Sequence, residues 1–233
     1  MRLLSFESSS VSASVAVTDG EILLGQSFQN VGLTHSRTLL PMAEALLANT
    51  GLSLSQIDAF AVSAGPGSFT GVRIGIATVK GLAAAAGRPC AGVSSLEAAA
   101  FGLDTARDIC AVMDARAGQV YNALFRWEGQ CLTRLCPDRA ISMEDLEKEL
   151  LDSEKEYILV GDGAKLCYNS LNKAADQLSL APPHLRYPQA YGVARAADRV
   201  PFGDADALAP FYLRLPQAER QRLGKLLPSE KNA

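Results

Sequence analysis

The alternation of apolar and polar residues predicts β-strands at the start of the chain. Residues 11–18 alternate with a period of two, which is typical of a half-buried strand. Asp19-Gly20 then gives a strong signal for a tight hairpin turn into the next strand. Over the first hundred residues the pattern predicts strands at 3–8, 11–18, 22–29, 57–63 and 90–93, and helices at 34–49 and from about 70 to 86.

The order of these elements partly repeats in the second half of the chain. The pattern predicts strands at 109–114, 120–127, 131–136 and 157–160, a helix at 143–151, and a glycine turn at 161–163. Each half reads as strand, hairpin, helix, strand, glycine-rich turn and helix, which predicts two related α/β lobes. We place the lobes at residues 1–105 and 106–216 and a polar tail at 217–233.

The composition is that of a globular protein with a substantial core. Of the 233 residues, 48% are apolar and 20% are charged, and the net charge of −3 gives no broad electrostatic footprint for nucleic acid. The five cysteines are scattered without a CxxC pair, so neither a disulfide framework nor a zinc site is predicted. Because we find no secretory segment and no apolar stretch long enough to span a bilayer, we expect a cytoplasmic protein.

A glycine-rich segment, residues 64–73, joins the fourth predicted strand to the second helix. Its glycines allow close approach of another group, and the free N–H groups of a helix start suit a phosphate. The segment has neither the Lys-Ser/Thr of a Walker loop nor the dinucleotide-binding spacing. Two interpretations stay open: a tight turn without a ligand, or the phosphate site of a nucleotide-binding enzyme or sensor. The second would use Glu7, Ser8, Gly65, Gly67, Ser68, Thr70 and Gly71.

The two helices of the first half are apolar around most of their circumference. Residues 39–47 contain one charged residue, and residues 72–86 contain two. Small residues recur every four positions in the second helix, which permits close approach of another helix. These patterns are compatible with fully buried core helices, or with helices that place one face on their own sheet and the other on a partner.

Several segments carry a resemblance to a known family. They are residues 3–9 (LLSFESS), 35–41 (HSRTLLP), 65–75 (GPGSFTGVRIG), 92–96 (GVSSL), 113–121 (MDARAGQVY) and 211–214 (FYLR). On these segments the chain resembles the TsaB (YeaZ) family of bacterial tRNA threonylcarbamoyladenosine biosynthesis proteins, most densely over residues 1–125. Glu7-Ser8-Ser9 departs from the family's usual Asp-Thr-Ser by keeping the acid with one more methylene.

The resemblance implies a fold like actin, Hsp70 and sugar kinases (ASKHA, RNase H-like), with a mixed five-stranded sheet in each lobe. It implies a non-catalytic subunit that pairs with TsaD, its catalytic paralogue, and is joined by the ATPase TsaE. That complex adds threonylcarbamoyl to N6 of adenosine 37 in tRNAs reading ANN codons. The chain would have no cofactor of its own, would contact tRNA only through the complex, and would not associate with a membrane. Two possibilities stay open: that ADP or ATP binds at the interface with a partner, and that the isolated chain forms a homodimer.

The expected partner surface follows from the same resemblance, in which the two apolar helices pack against their equivalents in TsaD or in a second copy. The residues we place near it are His35, Leu39, Leu40, Met42, Ala43, Arg73, Ile74, Thr78 and Lys80.

Candidate catalytic groups are few. The chain has two histidines, His35 and His184. The catalytic paralogue holds a metal through two histidines spaced four apart, whereas here Leu39 occupies that spacing from His35, so we predict no metal site. Asp114 and Arg116 could contact a ligand across the cleft between the lobes, but we favour local pairing. No catalytic residue is predicted.

Overall fold

The computed structural model describes residues 1–214, which form two α/β lobes. The predicted polar tail at 217–233 lies outside the described residues. Both lobes are built around a mixed sheet, and both place helices against its faces. The predicted fold class of two actin-like lobes is confirmed.

The first lobe contains a five-stranded sheet in the order β3-β2-β1-β4-β5. Strand β1 pairs antiparallel with β2 and parallel with β4. Successive residues of a strand face opposite sides, so Leu4 and Phe6 face α1 and α2 while Leu3 faces the other lobe. The elements are β1 (Arg2–Glu7), β2 (Ala13–Asp19), β3 (Ile22–Gln29), α1 (His35–Thr50), β4 (Ala59–Gly65), α2 (Phe69–Ala86), β5 (Cys90–Ser94) and α3 (Ser95–Phe101).

The second lobe repeats this arrangement with six strands rather than the five predicted. Strand β7 is ten residues long and pairs with β9 over its first half and with β8 over its second half, so two short strands share one edge. The sequence analysis missed β9 and β11, which have four and three residues. The elements are β6 (Asp108–Asp114), β7 (Gln119–Glu128), β8 (Cys131–Arg134), β9 (Arg139–Ser142), α4 (Met143–Asp152), β10 (Tyr157–Val160), α5 (Ala164–Ser170), β11 (Leu178–Leu180) and α6 (Ala190–Ala197).

Two helices lie between the sheets and join the lobes through one apolar core. Helix α3 packs closely on α6, and a Cβ on Gly192 would overlap the backbone carbonyl of Ala98. Buried residues of both sheets, including Ala61 and Ala111, belong to the same cluster as these helices. Helix α6 lies in the chain interval assigned to the second lobe, yet it packs on the sheet of the first.

This position of α6 explains why Ser14, which lies on the polar face of β2 in the alternating pattern, is buried. Both faces of β2 are buried, because α6 covers the polar one. The N–H of Ala190 donates to Oγ of Ser14 (3.1 Å), and the N–H of Tyr191 donates to Oε1 of Gln26 (2.9 Å). The first lobe thus supplies the hydrogen-bond acceptors that the first turn of α6 lacks.

Helix α2 corrects one sequence prediction. Its 18 residues have a mean hydropathy of 1.2, so by length and composition it could cross a bilayer, contrary to our expectation. It is the one such helix among residues 1–214. In the fold, Val72, Ile76, Val79 and Ala83 are buried against the sheet, so packing within the first lobe accounts for much of its apolar character.

The contact between α3 and α6 can be tested with matched alanine substitutions. Gly192→Ala should lower the free energy of unfolding by about 1–3 kcal/mol, because the new methyl group must displace the backbone of Ala98. Gly81→Ala in α2 is the control, since a methyl group added there would meet no other atom within 4 Å. That change should raise stability by about 0.5–1 kcal/mol through helix propensity. Urea unfolding measures both, and an unchanged or stabilised Gly192→Ala variant would contradict the close packing.

Candidate functional site

The glycine-rich segment forms the turn from β4 into α2. Helix α2 begins at Phe69, one residue earlier than predicted, because Oγ of Ser68 accepts a hydrogen bond from the N–H of Gly71 (3.2 Å) and caps the helix. Gly65 and Gly67 have φ values of 124° and 154°, which an L side chain rarely adopts.

The space that these glycines provide is filled by the protein's own backbone. A Cβ on Gly65 would overlap the carbonyl oxygen of Phe211, and a Cβ on Gly67 would overlap that of Ser9. The carbonyl oxygen of Ser9 also accepts a hydrogen bond from the N–H of Ser68 (2.7 Å). Carbonyl oxygens repel phosphate, so the backbone beside Gly65 and Gly67 does not favour an anion.

Glu7, the acid at the end of β1, is fully buried and bonded within the protein. Its Oε1 accepts hydrogen bonds from the N–H of Ser9 (2.6 Å) and from Oγ of Ser9 (2.5 Å), while Oγ of Ser63 donates to Oε2. Burial raises the pKa of Glu7, and these hydrogen bonds oppose the rise. The carboxyl group has no exposed oxygen with which to bind a metal.

The geometry at Glu7, Gly65 and Gly67 therefore does not favour the nucleotide that the fold class implies. Among the seven candidate residues, Glu7 and Ser8 are buried, and Oγ of Ser8 donates to the carbonyl of Gly71 (3.0 Å). Ser68 and Thr70 are exposed at the start of α2, where Oγ of Ser68 caps the helix. Residues 1–214 contain no cluster of three or more His, Cys, Asp or Glu side chains suited to a metal. The geometry favours the interpretation of a tight turn without a ligand.

A second glycine turn, residues 161–163, brings two more acids to the cleft between the lobes. The N–H of Asp114, at the end of β6, donates to Oδ1 of Asp162 (3.2 Å). Burial raises the pKa of Asp162 to about 6, with further contributions from the charges of Asp114 and Glu7. Arg116 bonds Asp114 through its N–H (2.7 Å) and Nη1 (3.0 Å), so this pair is local, as the sequence analysis favoured.

The two histidines also make local contacts. Nε2 of His35 lies 2.9 Å from the carbonyl oxygen of Ser10, at the start of α1. The carbonyl oxygen of His184 accepts a hydrogen bond from Nε2 of Gln189 (2.5 Å). Neither histidine belongs to a group of three or more His, Cys, Asp or Glu side chains suited to a metal among the described residues.

A groove of about 480 Å³ lies between α1 and α2 in the first lobe. No charged residue lines it, and Leu40 on its wall is 44% exposed. The groove lies on the side of α2 opposite the residues that pack on the sheet. The helices therefore have one buried face and one open face, and they are not core helices buried on both sides. The lining residues are His35, Ser36, Leu39, Leu40, Ile74, Ala77, Thr78, Gly81 and Leu82.

The predicted partner residues divide into three groups. Five of them line the groove: His35, Leu39, Leu40, Ile74 and Thr78. Of these, Leu39 is only 1% exposed and also belongs to the core of the lobe. Met42 and Ala43 are instead buried in the lobe's own core, because their positions on α1 face the sheet. Arg73 is exposed beside the groove, and Nζ of Lys80 lies 3.3 Å from the carbonyl oxygen of Asp206, away from it.

The sequence analysis did not assign Ser36, Ala77, Gly81 or Leu82 to the groove. The four-residue spacing of small side chains in α2 had marked Ala77 and Gly81 as positions of close approach, and that spacing is the signal that could have found them.

Known proteins resemble this chain over most of its length. A family model described as "TsaD: tRNA N6-adenosine threonylcarbamoyltransferase" matches residues 29–218. The tRNA threonylcarbamoyladenosine biosynthesis protein TsaB of Escherichia coli (strain K12) is 34% identical over 173 residues, 70% of this chain and 72% of that protein. TsaB of Bacillus subtilis (strain 168) is 27% identical over 221 residues, which are 94% of this chain and 96% of that protein. TsaB of Haemophilus influenzae is 40% identical over 126 residues, which are 47% of this chain and 53% of that protein.

A solved structure supports the same relationship. A Pseudomonas aeruginosa protein described as similar to the peptidase YeaZ has a TM-score of 0.77 and 27% identity, covering 91% of this chain and 99% of that one. The two lobes of like topology around α3 and α6 define an actin-like α/β protein. The chain belongs to the TsaB (YeaZ) family.

The raised pKa of Asp162 gives a pH-dependent prediction. Since its pKa is higher in the folded chain than in the unfolded chain, wild type loses stability as pH rises from about 4 through about 6. Asp162→Asn removes that loss and keeps the acceptor for the Asp114 N–H. We expect it to be more stable than wild type by about 1–2 kcal/mol at pH 7.5 and by much less at pH 4.

Urea unfolding at both pH values measures this difference. The control is Asp104→Asn, at an exposed position, which should change stability little at either pH. An equal effect of Asp162→Asn at both pH values would contradict the assigned pKa shift.

Proposed function

We propose that this chain is a non-catalytic subunit of the complex that adds threonylcarbamoyl to N6 of adenosine 37 in tRNAs reading ANN codons. In this proposal it binds TsaD, the catalytic paralogue, through the groove between α1 and α2. The observation that carries the proposal is the uncharged groove, which contains most of the residues expected at the partner surface. The names of the TsaB relatives and the match to a TsaD family model support the pathway and the partner.

The groove has the properties of a protein-binding surface. It is formed by two neighbouring helices, it contains small residues that admit another helix closely, and its wall residue Leu40 is exposed to solvent. Exposed apolar patches on a soluble domain commonly mark interaction sites. A pair of helices from a partner would cover both walls and form a four-helix contact of standard size or larger.

The interior of the cleft supports a role without chemistry of its own. Glu7 is enclosed by Ser9 and Ser63, and the glycine turn is occupied by backbone from within the chain. An acid–base group or a metal ligand would have to reach a substrate, and Glu7 cannot do so without unfolding this corner of the lobe. The nucleotide-binding alternative therefore has no specific support at this turn.

The proposed action is to hold TsaD in a competent arrangement. The core that α3 and α6 share with both sheets makes the chain a rigid platform, and a rigid partner can shift a flexible one toward one conformation. TsaE would join the assembled pair, and tRNA would be reached through the complex, in the cytoplasm. A homodimer of the isolated chain would use the same groove and would compete with TsaD.

Charge insertion into the groove tests this interface. Ile74→Glu and Leu40→Glu should each weaken binding to TsaD at least 100-fold, because a charge would be buried in an apolar contact without a partner. Leu40 is 44% exposed in the isolated chain, so that variant should fold normally. The control is Ile22→Glu, which places the same charge at a 67% exposed apolar residue on β3.

Calorimetry and co-elution with TsaD measure the affinities, and circular dichroism checks the fold. The control should bind like wild type. Unchanged binding of both groove variants would refute this interface.

A further inference from the structure

Arg73 lies on the rim of the groove and is held in one orientation. It is exposed and immediately precedes Ile74, which lines the groove. Its guanidinium carbon lies 3.8 Å from the centroid of the ring of Phe69, which is one helical turn earlier on α2. This separation places the cation directly on the aromatic face.

Tyr212, near the end of the described residues, also orients Arg73. The ring of Tyr212 stacks on Phe69 with centroids 4.9 Å apart and an angle of 27° between the planes. The Tyr212 hydroxyl accepts a hydrogen bond from Nε of Arg73 (2.8 Å). Tyr212 is itself positioned by its neighbour, since the N–H of Phe211 donates to the carbonyl of Ala64 (2.7 Å).

Within residues 1–214, the terminal nitrogen atoms of Arg73, Nη1 and Nη2, make neither a hydrogen bond nor an ion pair, although the rest of the side chain is constrained. Arg126, Arg134 and Arg139 differ in this respect, because each pairs with a carboxylate of the chain. A guanidinium that is oriented in advance loses little rotamer freedom when it binds an acid.

We propose that Arg73 binds a carboxylate on the protein that occupies the α1–α2 groove, and that Phe69 and Tyr212 are its positioning residues. This inference rests on the proposed function and adds the chemistry of the partner: an acidic side chain beside the segment that fills the groove. A carboxylate fits the planar fork of an arginine through two parallel hydrogen bonds. Protein is favoured over an RNA phosphate because Arg73 adjoins an apolar groove, and the chain's net charge is −3.

The test compares arginine variants of the full chain in binding to TsaD, by calorimetry at low and at high salt. Arg73→Ala should weaken binding about 10-fold at low salt and less at high salt, because an exposed ion pair is screened. Arg73→Lys should recover part of the affinity but not all, since an ammonium group cannot form the fork. The control is Arg88→Ala, which removes an exposed arginine just beyond the other end of α2 and should change affinity less than about 2-fold.

Tyr212→Phe tests the positioning separately, because it keeps the ring and removes the hydroxyl that orients Arg73. We expect a loss of affinity for TsaD of about 2- to 3-fold in wild type and no further loss in the Arg73→Ala background.

If wild type binds TsaD and Arg73→Ala binds equally well, the inference is overturned while the groove interface stands. If Arg73→Ala lowers only the affinity of the assembled complex for tRNA, the ligand is a phosphate and the inference is likewise overturned. If wild type does not bind TsaD, the proposed function itself fails, and the inference fails with it.

Discussion

The position of α2, which forms one wall of the groove, depends on the close packing of this helix against the turn after β1. Gly71 and Gly75 let the helix contact Ser8 without an intervening side chain, and Oγ of Ser8 donates to the carbonyl of Gly71. The same approach brings α2 beside His35 at the start of α1. This contact fixes α2 on the turn after β1 and sets the separation of the two helices that form the groove.

The glycine turns of both lobes make a close backbone contact of this kind. In the first lobe, the turn after β4 packs on the residues that follow β1. In the second lobe, the turn after β10 packs on the end of β6, where a Cβ on Gly161 would overlap the carbonyl of Val112. Each lobe has an acid in or beside the cleft: Glu7 at the end of β1, and Asp162 in the turn after β10. Both acids have raised pKa values because burial disfavours their charged forms, and each is bonded within the chain.

The sequence predicted the order of the elements well, because long strands and helices carry a strong periodic signal. It did not predict that Ser14 of β2 would be buried, since α6 covers it from 176 positions further along the chain. It could not detect β9 and β11, which are too short for periodicity to be recognised. The glycines indicated a close approach, but their spacing could not say whether a ligand or the chain itself would make it. Met42 and Ala43 were misplaced because a helix that is apolar on most sides does not reveal which face meets the sheet.

The proposed function requires that this chain be needed for tRNA modification without performing chemistry. A reconstitution of threonylcarbamoyl transfer to tRNA tests this requirement, with TsaD, TsaE and an activated threonylcarbamoyl donor in the presence and absence of this chain. We expect modification only when the chain is present, and none when the chain is supplied without TsaD. Equal modification by TsaD and TsaE without this chain would contradict the proposed function.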